Sequence, residues 1–279
     1  MAKKTEKPDS KRGRKAERGR AASSERPLLL LDEAAELLRH APPSAWAEYL
    51  LGTGPFVLTF TWFVSRMSGT PEWRSPIAVS AFPLALAHLW MLVWHSRFAA
   101  RLLALRSGEE PPPANFARIL RVQSVYGAGS FLALFPASLL LIPFGWIYAY
   151  SQTLPALASR PEAHSLAWKA AKREPGENHM LLLWITIAYW LLFAAGVVIA
   201  SFIPHLVKMF AAVESELTRN PQWIFGAVPL CLMAMLAYAV VDPLVKSVYV
   251  LRAFRDLSRV NGDDIRADWR ALQRKGGGK

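Results

Sequence analysis

Asp242 and Lys246 stand one helical turn apart in an otherwise apolar run, with Pro243 between them. At that spacing opposite charges pair along one helix face. An ionisable residue at membrane depth costs about 3 kcal/mol or more unless it is paired, so it marks either a site or a self-neutralising pair. The functional reading is a proton- or ion-coupled site at a proline kink, because Pro243 removes a backbone hydrogen bond. The structural reading is a neutral pair near the cytoplasmic end, with Lys246 reaching toward the headgroups; Arg252 follows closely and favours this second reading. His88 and His95 are seven residues apart and project from one helix face. Two such imidazoles can hold a metal or relay protons. Metal-binding helices place their histidines closer, as in HExxH, and no acidic residue lies in that run, so hydrogen bonds at an interface or between helices are expected instead. HExxH, GxSxG and a phosphate-binding glycine loop are all missing. Cys231 is the single cysteine, which rules out an intramolecular disulfide and a cysteine-based zinc site. No enzyme, cofactor or metal centre is expected.

The elements that must position these groups are long apolar stretches: Phe56 to Val64, Pro76 to Trp94, Tyr126 to Tyr150, Met180 to Pro204 and Trp223 to Val241. About 20 apolar residues cross the ~30 Å hydrocarbon core as a helix. The reading is an all-α, polytopic membrane bundle over 44–250, flanked by amphipathic surface helices. Residues 1–27 form a basic tail, with ten Lys or Arg in the first 26, and are expected to be disordered. The four leucines that follow Pro27 are too few for a signal-peptide core. Residues 28–43 place Leu30, Leu31, Ala34, Leu37 and Leu38 on one stripe and read as an interfacial helix lying on the membrane. The first span, from about Trp46 to Val64, is expected to break at Gly52-Thr53-Gly54-Pro55, with Glu48 reaching the headgroups. The second runs from about Pro76 to Trp94, and residues 97–122 read as a basic surface loop.

The stretch from about Leu120 to Ala158 is either one tilted helix or two helices broken near Pro143. Lys and Arg accumulate in cytoplasmic loops, and their distribution separates these options. Five crossings leave 18 Lys/Arg inside and 14 outside, whereas six leave 28 inside and 4 outside. Six crossings with both termini cytoplasmic are therefore expected, with five as the alternative. The second arm, which carries Ser151, Gln152 and Thr153, must then be covered by protein. Ser124/Ala128 and Gly196/Ala200 repeat a small-residue spacing suited to close helix packing.

The segment 251–279 is basic and cytoplasmic. Asn261-Gly262 stops a helix, and a further one should set Ile265, Trp269 and Leu272 on one face and Arg266, Arg270 and Arg274 on its flank. Arg266, Trp269, Arg270 and Arg274 are the candidate lipid contacts, because such a face suits an anionic membrane surface; packing on the protein's own loops is the alternative. With a net charge of +12 placed beside membrane segments, anionic lipids are the expected partner and nucleic acid is not.

The run LLLIPFGWIYAYSQTLPALA (139–158), followed by SLAWKAAKREPGENHMLLLW (165–184), resembles membrane proteins grouped with the glycerophosphoryl diester phosphodiesterase membrane domain. Segment 242–272 is similar to the C-terminal part of uncharacterised bacterial membrane proteins. Pro143-Phe144-Gly145 stands where those relatives carry Pro-Gly, and the phosphodiesterase domain is missing. The resemblance implies a multi-pass protein of the bacterial inner membrane and carries over no catalytic residue. Two functions follow as expectations. One is a non-enzymatic accessory or scaffold of an envelope complex, with an envelope protein as partner. The other is a small-solute or lipid transporter that uses the broken third stretch and Asp242/Lys246.

Overall fold

Where water is scarce, a backbone must satisfy its own polar groups, and an apolar run does so as a helix. The computed structural model describes residues 27–68, 74–211, 219–262 and positions 265, 266 and 269, and among these no strand occurs. Helix α1 (27–39) is followed by α2 (Pro43–Ser68) and α3 (Arg74–Ser107). Next come α4 (Phe116–Val122), a π-helical segment Gln123–Gly127 and α5 (Ala128–Ala137), in direct succession. Then follow α6 (Leu141–Leu157), α7 (Ala163–Lys172) and α8 (Pro175–Ala211). A 3-10 turn, Pro221–Phe225, leads into α9 (Ala227–Asn261). Gly262 ends α9 at a φ of 67°, a left-handed position that favours glycine. Among the described residues, three segments are long and apolar enough to cross a membrane: Val79–Ser107, Pro175–Phe210 and Ala227–Arg259.

Several boundaries differ from the sequence reading. Helix α2 runs unbroken through Gly52–Pro55. Gly52 is a packing glycine: a Cβ there would lie 2.9 Å from Trp94 Cβ of α3. Residues 97–107 continue α3 rather than forming a surface loop, because their apolar side is covered; Phe98, Ala99 and Leu102 are fully buried. The third stretch does break, but at 138–140. Pro143 sits in the first turn of α6, where its missing N–H costs no helical bond. Helices α5 and α6 pack against each other across that turn.

One core organises the molecule. It gathers Leu30, Ala34 and Leu37 of α1, Tyr49 of α2, Phe98 and Leu102 of α3, and Leu154 and Leu157 of α6. Ala167 of α7, Leu181 of α8 and Val245 to Leu257 of α9 complete it. The start of α2, the end of α3, the end of α6, the start of α8 and the end of α9 therefore meet at one basal end. Arg118 of α4 joins them by donating to the Ser159 carbonyl. The apolar stripe of α1 faces this core rather than a membrane surface, and Arg255 of α9 holds Glu33 at 3.1 Å. Glu48 turns inward too, instead of reaching the headgroups. It accepts from Arg101 Nε at 2.7 Å and from Arg97 Nη2 at 3.2 Å.

Candidate functional site

A proline inside a helix frees the carbonyl four residues earlier, and two neighbouring aromatics occupy such carbonyls here. Pro243 frees Ala239, whose oxygen accepts from the Tyr49 hydroxyl at 2.9 Å. Pro55 frees Leu51, whose oxygen accepts from Trp90 Nε1 at 2.9 Å. Helices α2, α3 and α9 are thereby stitched together around Asp242.

Tyr49 stacks on His95, with ring centroids 5.0 Å apart and planes 12° apart. His95 Nε2 shares a 2.9 Å hydrogen bond with Thr53 Oγ1. Its Nδ1 faces Asp242 Oδ2 at 3.5 Å; neither atom has a hydrogen-bond partner among the described residues, so this is close approach rather than a formed hydrogen bond. Lys246 Nζ stands 3.6 Å from Asp242 Oδ1 and donates to Gln152 Oε1 of α6 at 2.6 Å. His95 is fully buried, and Asp242 and Lys246 are each 4% exposed. Four helices thus supply one polar cluster inside the bundle. Beside it, Gln123 of the π-helical segment donates to Ser96 Oγ of α3 at 2.7 Å. Closer to the base, Asn178 of α8 accepts from the Tyr249 hydroxyl at 2.6 Å and donates to the Gly145 carbonyl at 2.9 Å.

A cavity of about 270 Å³ opens between α6, α8 and α9 next to this cluster. Tyr148, Gln152, Thr186, Tyr189, Tyr238 and Asp242 line it, together with apolar side chains. The two acceptors that hold the Lys246 ammonium, Asp242 and Gln152, are thus both walls of the cavity.

Of the residues singled out from sequence, the structure brings Asp242, Lys246 and His95 together. Lys246 does not reach for the headgroups as the sequence suggested; its stem is covered and its head is held by Gln152. His88 lies apart, between Phe56 and Phe131 at centroid distances of 5.6 and 5.1 Å. Its Nε2 has no hydrogen-bond partner among the described residues. Trp269 is 62% exposed and Ile265 is 74% exposed. Arg266 is described and makes at least one interaction, whereas Arg270 and Arg274 lie outside the described residues, as does the tail 1–26. Tyr49 and Tyr238 did not stand out in the sequence, and Thr53 stood out only as part of a break. The available signals were the four-residue spacing of Tyr49 and Thr53 and the carbonyl that Pro243 leaves open.

No protein-family model matches the chain, and neither curated proteins nor solved structures show a significant similarity to it.

Proposed function

We propose that the chain is a multi-pass protein of the bacterial inner membrane that binds and moves a small solute through the cavity at Asp242. The observation that carries this reading is the shared use of Asp242 and Gln152, which hold Lys246 and also wall an open cavity. Gln152 comes from α6, the second arm of the broken third stretch, and broken stretches commonly build transport sites. In this reading the membrane is crossed six times: by α2, α3, the α4–α5 rod, α6, α8 and α9, with both termini cytoplasmic. The common basal end supports that count, because Arg101, Arg118, Arg173 and Arg252 all take part in its polar contacts, and basic residues concentrate on the cytoplasmic side. Reporter fusions at residue 165 and at the C-terminus should both read cytoplasm; a periplasmic signal from either would remove the six-crossing arrangement.

The site itself is tested by filling the cavity with Thr186→Trp. The variant should fold and insert normally, yet behave like a deletion strain wherever deletion has a phenotype. Full function in a folded Thr186→Trp protein would exclude the cavity.

A second reading, a non-enzymatic scaffold in an envelope complex, is favoured by the outer part of α8. There Trp190, Leu191, Ile199, Phe202, Met209 and Phe210 are all exposed, and a partner helix as well as lipid can cover them. The double variant Asp242→Asn with Lys246→Met separates the two readings. A scaffold keeps its function with the pair replaced, whereas a solute site leaves a stable but inactive protein.

A further inference from the structure

We infer that the ligand of this cavity is a small organic cation, a primary ammonium carried on an apolar body, which competes with Lys246 for Asp242 and Gln152. The inference rests on the reading of the cavity as a ligand site and goes further by naming what it takes. An ammonium leaving water needs anionic or carbonyl acceptors in return. The cavity offers Asp242, whose carboxylate belongs to its wall and is 4% exposed, and Gln152, whose Oε1 already accepts from an ammonium. Tyr148, Tyr189 and Tyr238 bring aromatic rings, which attract cations when desolvated, while Ile185, Val241 and Val245 suit an apolar body. An anion would instead meet the Asp242 carboxylate, the one charged group in the lining.

Lys246 is the reason for naming an ammonium rather than any cation. It is not part of the lining, yet its ammonium stands beside both acceptors, at 3.6 and 2.6 Å. The chain thereby carries a tethered copy of the group the cavity would bind, and it keeps Asp242 neutralised while the cavity is empty. A ligand ammonium must displace that copy, so Lys246 sets the affinity from below. At about 30 Å³ of liquid per water, the cavity has room for roughly eight to ten ligand atoms besides hydrogen.

Benzylammonium, benzyl alcohol and benzoate share one shape and differ in charge. Calorimetric titration of the full chain in mild detergent should show benzylammonium binding at least about tenfold more tightly than either of the others. Asp242→Asn should abolish that preference, and Lys246→Met should tighten benzylammonium about tenfold. Thr186→Trp, which leaves both charges in place, should remove binding, with thermal melting confirming that each variant is folded. If benzyl alcohol binds as well as benzylammonium and both are lost in Thr186→Trp, the cavity remains a ligand site and the cation is overturned. If Lys246→Met is folded and weakens benzylammonium, the competition is overturned. Binding that survives Thr186→Trp, or no binding by any of the three probes, would overturn the cavity reading and the cation together.

Discussion

The basal and distal halves of the bundle share the same long helices but are held in different ways. At the base, α2, α3, α6, α8 and α9 bury one another's apolar faces, and α1 and α7 close the outside. Ion pairs tie the ends: Arg173 to Asp256 at 2.7 Å, Arg259 to Glu174 at 2.8 Å and Glu48 to Arg101 at 2.7 Å. In the distal half these helices, together with α5, expose large side chains, among them Leu58, Phe82, Leu132, Ile199 and Val240. The base is thus packed like a water-soluble core, while the distal half relies on whatever surrounds it. The polar cluster of Asp242 lies between the two, where tight packing gives way to an opening. Rigid support on one side and an open wall on the other is an arrangement suited to ligand binding.

Breaking a basal charge should have the largest effect. Replacing Glu48 by Ala leaves Arg97 and Arg101 facing each other with little access to water, at 13 and 26% exposure. Loss of one partner from a buried ion pair costs about 3 kcal/mol. Thermal unfolding in detergent should fall by several degrees, whereas Leu132→Ala in the distal half should leave it nearly unchanged. Equal losses from the two would erase the contrast between the halves.

The bond from Tyr49 to Ala239 comes next. Tyr49→Phe strands the carbonyl that Pro243 has already freed, and an unsatisfied buried acceptor costs about 1–3 kcal/mol. Pro243→Ala restores a backbone donor for that carbonyl, so the double variant should recover most of the loss. Additive losses in the two single variants and the double would show that the Tyr49 hydroxyl does not act through the Ala239 carbonyl.

This pair also marks how far the sequence could be read. Helical class, the apolar runs, the stop at Asn261-Gly262 and the split of the third stretch follow from composition, periodicity and turn residues, which act locally. The site was half legible: Asp242 and Lys246 announce themselves by charge within an apolar run. Their partners come from residues 94 to 147 positions away, such as Gln152 and His95, and a periodicity argument cannot reach across helices. Sequence alone puts Glu48 and Lys246 at the boundary, because a charge near a helix end ordinarily finds water. Here neighbouring helices supplied counter-groups, and the inside became the cheaper place.

Trp90 offers a weaker version of the Tyr49 contact. Its indole donates to Leu51, the carbonyl freed by Pro55, but the residue is 46% exposed in the chain. Trp90→Phe should therefore cost about 1 kcal/mol or less, with Pro55→Ala again restoring the donor. A loss as large as that of Tyr49→Phe would place the second proline stitch in the tight half of the molecule.

The smallest effect should come from the rim of the base, where it depends on pH. Glu174 joins α7 to α8, and the hydrogen bond from Arg259 holds its carboxyl below the usual carboxylate range. Because its folded value is lower than its unfolded one, the pair stabilises the protein fully above the unfolded value and stops doing so as pH falls through the folded value. Both side chains are well exposed, at 40 and 54%, so the contribution is about 0–1 kcal/mol before salt screening. Melting temperatures of the unchanged chain and of Glu174→Gln should differ slightly at about pH 7 and converge toward about pH 3. Added salt should close the gap at neutral pH. A difference that persists at the acid end would mean that the Glu174 charge does not carry the effect; the backbone there, with a φ of 49°, is strained for Glu and Gln alike. Glu174→Gly would then stabilise the junction rather than weaken it, since glycine adopts that conformation freely.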